Sequence, residues 1–466
     1  MKTFTDPRLS NTLSIDDQIA AGKALRQKVK RRDLGVYKPA PNRPDPLDLL
    51  KAQTKTRLSN LIPIYYERML TSPFAFLRGS AAVMIQDIAN APTTEISVQA
   101  CGDMHVSNFG VFASAERNLV FAINDFDETC PGAWEWDLKR LVASAIVAGQ
   151  HLEGDRTICE AAVRSIVQSY RQHLHEYAQM SYLDLWYAQI EETELLNKLP
   201  DEQQKRAARV LAKARECTHL QTLDKLTELV NDQHQIVESP PLVVRAETLA
   251  QGQTIIKALE ELIQDYLSSI GSERRFLLSR YRIVDVARKA VGVGSVGTRC
   301  WVIYLEGKDQ NDPLFLQVKE AQPSALFPYS ERFQKGRELG RHEGERVVIG
   351  QRLIQGAPDI FLGWGDVSGI HYYVRQLRDM KGSVKLEPGK FRPKSLPDYG
   401  VLCGWALALA HAKSGDAAML SGYVGKSEAL DDAMVSFARS YAEQTEQDYD
   451  RLVQAAKQGQ IPVAKG

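Results

Sequence analysis

The sequence predicts an α+β fold in two lobes, one large and mainly helical, the other a small antiparallel β-sheet. Three observations lead there. Apolar residues recur at three- and four-residue steps through much of 46–275 and again over 390–466. Residues 280–385 lose that spacing and become rich in Val, Ile, aromatics and Gly, with polar and apolar positions alternating. The chain has 466 residues, 44% of them hydrophobic, enough for two or three structural units.

Residues 1–45 are polar, with "KALRQKVKRR" at 23–32 and "KPAPNRPDP" at 38–46. They read as a solvated helix and a proline-rich linker, although the basic run would also suit a phosphate-rich partner. Pro63 suits a first helical turn, with Ile62, Tyr65, Tyr66 and Met69 on one face, and "GSAAVMIQDIA" (79–89) predicts another helix. Ile96, Val98 and Ala100 then alternate as a half-buried strand does. Val111 and Phe112, a polar turn at 115–118, and alternating Leu119, Phe121 and Ile123 make a hairpin. From about 135 to 275 the pattern is mainly helical, and His173 and His175 there read as packing or surface residues.

Near 280 the chain becomes strand, glycine loop, strand, turn, strand, through "RIVDVARKAVGVGSVGTRCWVIYLEGKDQNDPLFLQVKEA". A charged helix over about 329–355 and a strand "HYYVRQL" (371–377) complete that unit. After a Pro-, Lys- and Gly-rich connection, "VLCGWALALAHAKSGD" forms a helix that Gly415 stops, and a last helix spans about 428–456.

Charge and cysteine usage narrow the partners. Lys+Arg and Asp+Glu are both 58, so bulk attraction to nucleic acid or an anionic membrane is not expected. Cys101, Cys130, Cys159, Cys217, Cys300 and Cys403 contain no C-x-x-C pair and read as reduced thiols. No apolar run approaches the ~18 residues of a membrane helix. The opening residues lack a signal-peptide layout, so a cytoplasmic protein is expected.

"CGDMHVSNFG" (101–110) is the first stretch with chemistry in it. Phosphoryl transfer needs a carboxylate near the acceptor hydroxyl and an amide oxygen on a magnesium ion, and Asp103 and Asn108 supply both. A plain polar turn explains the two residues equally well by themselves. Asp125, 22 residues on in "INDFDET", ends the hairpin, where it can bridge magnesium to the phosphates. Asp127 either assists as a metal ligand or caps the turn.

"GVGSVGT" adds Gly292, Gly294 and Gly297 as G-x-G-x-x-G. A dinucleotide loop should lead into a helix, but "TRCWVIYLEG" reads as a strand, as in the glycine loop that lies over ATP phosphates. That arrangement predicts a lysine on the following strand, and "LFLQVKEA" supplies Lys319. Its partner glutamate is among Glu338, Glu343 and Glu345, with Glu345 favoured. Asp137, starting a helix in "PGAWEWDLKRL", is placed to accept backbone amides and brace the Asp103 loop. "YYVRQLRDMKG" leads to a hinge where Gln376 would receive adenine through its backbone; Arg375, Arg378 and Lys381 lie beside it. Arg78 in "FAFLRGS" serves either packing or a phosphate.

These blocks resemble the bacterial family known as domain of unknown function 2252 over about residues 20–445. In motif they also resemble the aminoglycoside- and choline-phosphotransferase branch of the protein-kinase-like fold. There a G-D-x-x-x-x-N loop is followed by a strand ending in an I-D-F-like triplet and then P-x-x-x-D-L, matching Asp103, Asn108, Asp125 and Asp137 here. The order departs from that branch: the glycine loop and Lys319 follow the Asp103 loop by about 190 residues instead of preceding it. The resemblance therefore implies a circularly permuted, two-lobed kinase-like fold. Its parts would be a polar tail (1–45), a helical catalytic lobe (46–275), a nucleotide-binding lobe (280–385), and C-terminal helices (390–466) packing on the catalytic lobe. "LALAHAKSGD" also resembles the helix before a kinase catalytic loop, but no Asn follows in place, so Asp416 reads as a helix-end residue.

The expected activity is ATP- and Mg2+-dependent transfer to a small-molecule or protein hydroxyl. A nucleotide-binding regulator without chemistry, or transfer of AMP instead, fits the same residues. A metal-dependent phosphoesterase would use the D-x-H of "GDMH", but the further Asp, Asn and His motifs of that class do not follow.

Overall fold

The computed structural model describes residues 13–217, 219–333, 342–377 and 380–464. Its strands are β1 (Ser97–Ala100), β2 (Phe109–Ala113), β3 (Leu119–Ile123), β4 (Cys130–Ala133), β5 (Thr227–Val230), β6 (Gln233–Ile236), β7 (Val243–Arg245), β8 (Arg282–Lys289), β9 (Cys300–Glu306), β10 (Pro313–Glu320), β11 (Gly363–Val367), β12 (Ile370–Gln376) and β13 (Gly382–Ser383). Together with the helices they give the α+β class.

Six strands form one sheet in the order β11-β12-β10-β9-β8-β7, with antiparallel pairing throughout. Alternation along β10 decides what each face carries. Leu314, Leu316 and Val318 pack with Leu259, Leu262 and Tyr266 of the helix Gly252–Ser268. Phe315, Gln317 and Lys319 therefore share the opposite face, and Lys319 stands opposite Tyr373 of β12 and Cys300 of β9.

The main helical core is built on α6 (Trp134–His151) and α7 (Arg156–Tyr177), crossed by the helices Leu396–Ser414 and Ala429–Lys457. Nearly every residue of α6 is buried, as expected of a helix at a core centre. Gly404 makes the crossing on α7 possible, since a Cβ there would lie 2.2 Å from the Ile166 carbonyl oxygen. The C-terminal helices thus pack on this core. Asp416 is the N-cap of the helix Ala417–Val424, accepting from the Met419 amide at 2.8 Å.

Two expected boundaries fall elsewhere. β7 and the helix Gly252–Ser268, within the stretch assigned to the helical lobe, belong to the β-sheet unit. The helical spacing of Gly252–Ser268 does not say which core that helix joins, and β7 interrupts a stretch expected to be mainly helical. The expected polar tail contains α1 (Ile15–Lys28), which lies on the Ala417–Val424 helix. Glycine and arginine make close polar contacts there. A Cβ on Gly22 would sit 2.0 Å from the Met419 carbonyl oxygen, and Arg26 donates to the Tyr423 carbonyl at 2.9 Å.

Candidate functional site

The Asp103 loop joins β1 to β2, and its start is fixed by Asp137 in the first turn of α6. Asp137 accepts from the Cys101 amide at 2.6 Å and the Gly102 amide at 2.9 Å, the bracing expected from the sequence. His411 Nε2 lies 3.2 Å from the same carboxylate, and Tyr170 hydroxyl 2.8 Å from His411 Nδ1. Gly102 takes φ +80°, which its lack of Cβ permits.

Asp103 Oδ1 accepts from Arg140 Nε at 2.9 Å and also from Arg140 Nη2, which reaches the Leu77 carbonyl at 2.7 Å. Burial pushes the Asp103 carboxyl above its ordinary range, with Arg140 and Arg78 opposing. His105 is buried; that burial, with Arg78 and Arg140 nearby, drives its imidazole well below its ordinary value, so it is neutral near pH 7. Asn108 Nδ2 donates to the Asp103 carbonyl at 2.6 Å, leaving its amide oxygen as the free-facing acceptor, and the Asn124 amide donates to the Asn108 carbonyl at 2.9 Å. The loop is thereby tied to the end of β3, where Asp125 and Asp127 begin.

Those two carboxylates are driven apart. Burial and the neighbouring Asp127 push Asp125 up, and its Oδ1 is buried without a protein partner. Burial also acts upward on Asp127, but Lys319 outweighs it and holds that carboxyl below its ordinary range. Asp127 takes the Lys319 ammonium, accepts from Tyr373 hydroxyl at 2.7 Å, and accepts from Ser295 hydroxyl of the glycine loop at 3.1 Å. Burial acts against the Lys319 charge, yet Asp127, Tyr373 and Asp125 together outweigh it and push the ammonium above its ordinary value.

The glycine loop connects β8 to β9, strand to strand, with φ +65° at Gly292 and +92° at Gly297. It is clipped to the N-terminal helices α2 (Pro46–Thr54), α3 (Ile62–Met69), α4 (Pro73–Gly79) and α5 (Ala81–Ile88). Arg57 donates to the Gly294 carbonyl at 2.6 Å and to that of Val296, Arg68 donates to that of Gly292, and the Leu58 amide meets Gly297 oxygen at 2.8 Å. Val296 is buried among the apolar residues of these helices.

A cavity of about 740 Å3 lies beneath this loop, lined by Asp103, Asn108, Asp125, Asp127, Gly292 and Gly294. Gln376 is not brought there. It lines a second cavity of about 510 Å3 with Arg375, Lys381 and Asn124, and its backbone amide is taken by Asp359. Glu345 is not brought to Lys319 either. It stands in the first turn of the helix Glu343–Gln355, its amide donating to His342 Nδ1 at 3.2 Å, while Asp127 holds the lysine. Glu343 lines the first cavity but pairs with Arg346 at 2.6 Å. Glu338 and Arg378 lie outside the described residues.

Sequence reasoning missed Arg140, Tyr373 and Arg346. Arg140 stands one turn after Asp137, on the same helix face, which was a usable signal. Tyr373 faces Lys319 only through strand pairing. Arg346 donates to the carbonyls of Asp127 (3.0 Å) and Thr129 (2.6 Å), which no sequence pattern announces.

Among the described residues no group of three or more His, Cys, Asp or Glu side chains is placed to hold a metal alone. The donor set nevertheless fits magnesium, which is usually held by one or two carboxylates together with substrate phosphates. The unpartnered Asp125 oxygen and the Asn108 amide oxygen are such donors.

A family model described as an uncharacterized protein conserved in bacteria, DUF2252, matches residues 57–455. The chain belongs to the DUF2252 family. Searches of the curated proteins and of the solved structures return no match. The DUF2252 span contains every cavity residue named above, from Asp103 to Lys381, whereas α1 and α2 precede it. Among the described residues of this DUF2252 chain no helix is long and apolar enough to cross a membrane. Its six cysteines are free, and five of them are buried.

Proposed function

We propose that the chain transfers a phosphoryl group from ATP, with Mg2+, to a hydroxyl acceptor. The observation that carries this reading is one juxtaposition: Lys319 and the glycine loop meet Asp127, from a motif about 190 residues earlier, above the cavity that Asp103, Asn108 and Asp125 line. A lysine on the second strand after a glycine loop, a metal-binding Asp and Asn, and a carboxylate near the acceptor are the parts such a reaction uses. The two-lobed, permuted kinase-like architecture belongs to the same proposal.

In this reading the glycine loop and Lys319 position the phosphates. Asn108 and Asp125, with Asp127 beside them, would hold magnesium, which supplies neutralisation of phosphate charge. Asp103 orients the acceptor hydroxyl and takes its proton as the new P–O bond forms and the bond to the departing ADP breaks. Burial has already raised the Asp103 carboxyl toward the range useful to a base. A phosphoesterase would need further metal ligands around Asp103 and His105, which the described residues do not supply.

Asp103→Asn should bind MgATP as the wild type does, measured by titration calorimetry. Wild type should hydrolyse MgATP slowly with water as acceptor, and Asp103→Asn should lower that rate about 10²-fold or more. Equal turnover would contradict the base assignment.

A further inference from the structure

Arg78 is the cation in the first cavity that the proposed reaction does not use. It ends α4, lines the cavity with Asp103 and Asp125, and lies 5.8 Å over the Phe74 ring, a contact that leaves its N–H groups free. Its Nε is buried without a partner, and its guanidinium makes no hydrogen bond or ion pair with a described residue. The neighbouring arginines are engaged. Arg140 is held by Asp103 and the Leu77 carbonyl, Arg57 by two glycine-loop carbonyls, and Arg346 by Glu343 and three carbonyls.

A guanidinium carries five donors in a fixed fork, and the buried Nε of Arg78 is left without a match at a cost. A bidentate oxyanion matches that fork. We propose that Arg78 anchors a phosphate-type oxyanion of the acceptor molecule beside Asp103, so that the acceptor is anionic. The acceptor is favoured over the nucleotide as the source by position. The nucleotide phosphates have Lys319, held on the Asp127 side, whereas the carboxylate acting most strongly on Arg78 is Asp103, ahead of Asp125. This assignment rests on the phosphotransferase reading for its meaning, but not for its test.

The test is thermal unfolding in magnesium buffer at constant ionic strength, with inorganic phosphate as the probe, with and without saturating non-hydrolysable MgATP analogue. Wild type, Arg78→Gln and Arg78→Lys are compared. Phosphate should stabilise the wild type in both conditions. Its apparent Kd should weaken about tenfold or more in Arg78→Gln, with partial recovery in Arg78→Lys, while the analogue's own shift is retained. No phosphate response in the wild type, or the same response in Arg78→Gln, would overturn the anchor. Competition between phosphate and the analogue, with both lost in Arg78→Gln, would give the site to the nucleotide and overturn the acceptor assignment. An analogue that fails to bind any variant counts against the phosphotransferase reading alone, and the Arg78-dependent phosphate response still decides the anchor.

Discussion

Asp137 shows how much of the site rests on one side chain. Fully buried, it satisfies two loop amides and faces His411, so its removal leaves buried donors without an acceptor. Asp137→Ala should cost about 3–5 kcal/mol, read as a lower urea midpoint at unchanged m. Its role was legible because "WEWDLKRL" places a carboxylate in a first helical turn. Asp103, Asn108, Asp125 and Lys319 were legible too, each by its position at a strand end or on an alternating strand. The partner of Lys319 was not. Ion-pair choice depends on how two segments meet across the cavity, and the shorter reach of Asp127 from its own loop wins over any glutamate on the helix.

Among the elements, the helix Glu343–Gln355 has an unusual start. His342 and His371 stack at 4.1 Å, and each imidazole Nδ1 accepts a backbone amide of the first turn, from Glu345 and Glu343 respectively. Those bonds require a neutral ring. Burial and then His371 push His342 below its ordinary value, with Asp366 and Asp265 pulling the other way. The unfolded chain therefore binds the proton first. This stability is present above roughly pH 6.5 and is lost as pH falls from there through the lower folded value. His342→Ala should cost about 1 kcal/mol near neutrality. His342→Asn should keep the cap and flatten the loss below roughly pH 6.5, checked by urea unfolding across that range. The strands that sequence reasoning found, β1–β3, β8–β10 and β12, are, taken together, rich in β-branched and aromatic residues. It missed β4, "CPGA", and β11, "GWGDV", where proline and glycine hide a strand whose pairing comes from its neighbours, and it missed β5 to β7, short strands in a stretch read as helical.

At the scale of the whole molecule, the N-terminal segments do two things that composition conceals. Helices α2 to α5 clip the glycine loop over the cavity, and α1 closes onto the C-terminal helices through Gly22 and Gly422. Gly22→Val should lower unfolding stability by about 1–3 kcal/mol, since the Met419 backbone leaves no room; an unchanged urea midpoint would show that α1 does not dock. The central claim is that segments about 190 residues apart form one nucleotide site. Thermal unfolding with and without MgATP, on wild type, Lys319→Ala and Asp125→Ala, tests it most directly. The account predicts a magnesium-dependent stabilisation of the wild type, about 2.7 kcal/mol at 100 times the dissociation constant, that both variants lose. A folded wild type that shows no shift, or a shift that Lys319→Ala keeps, would contradict it.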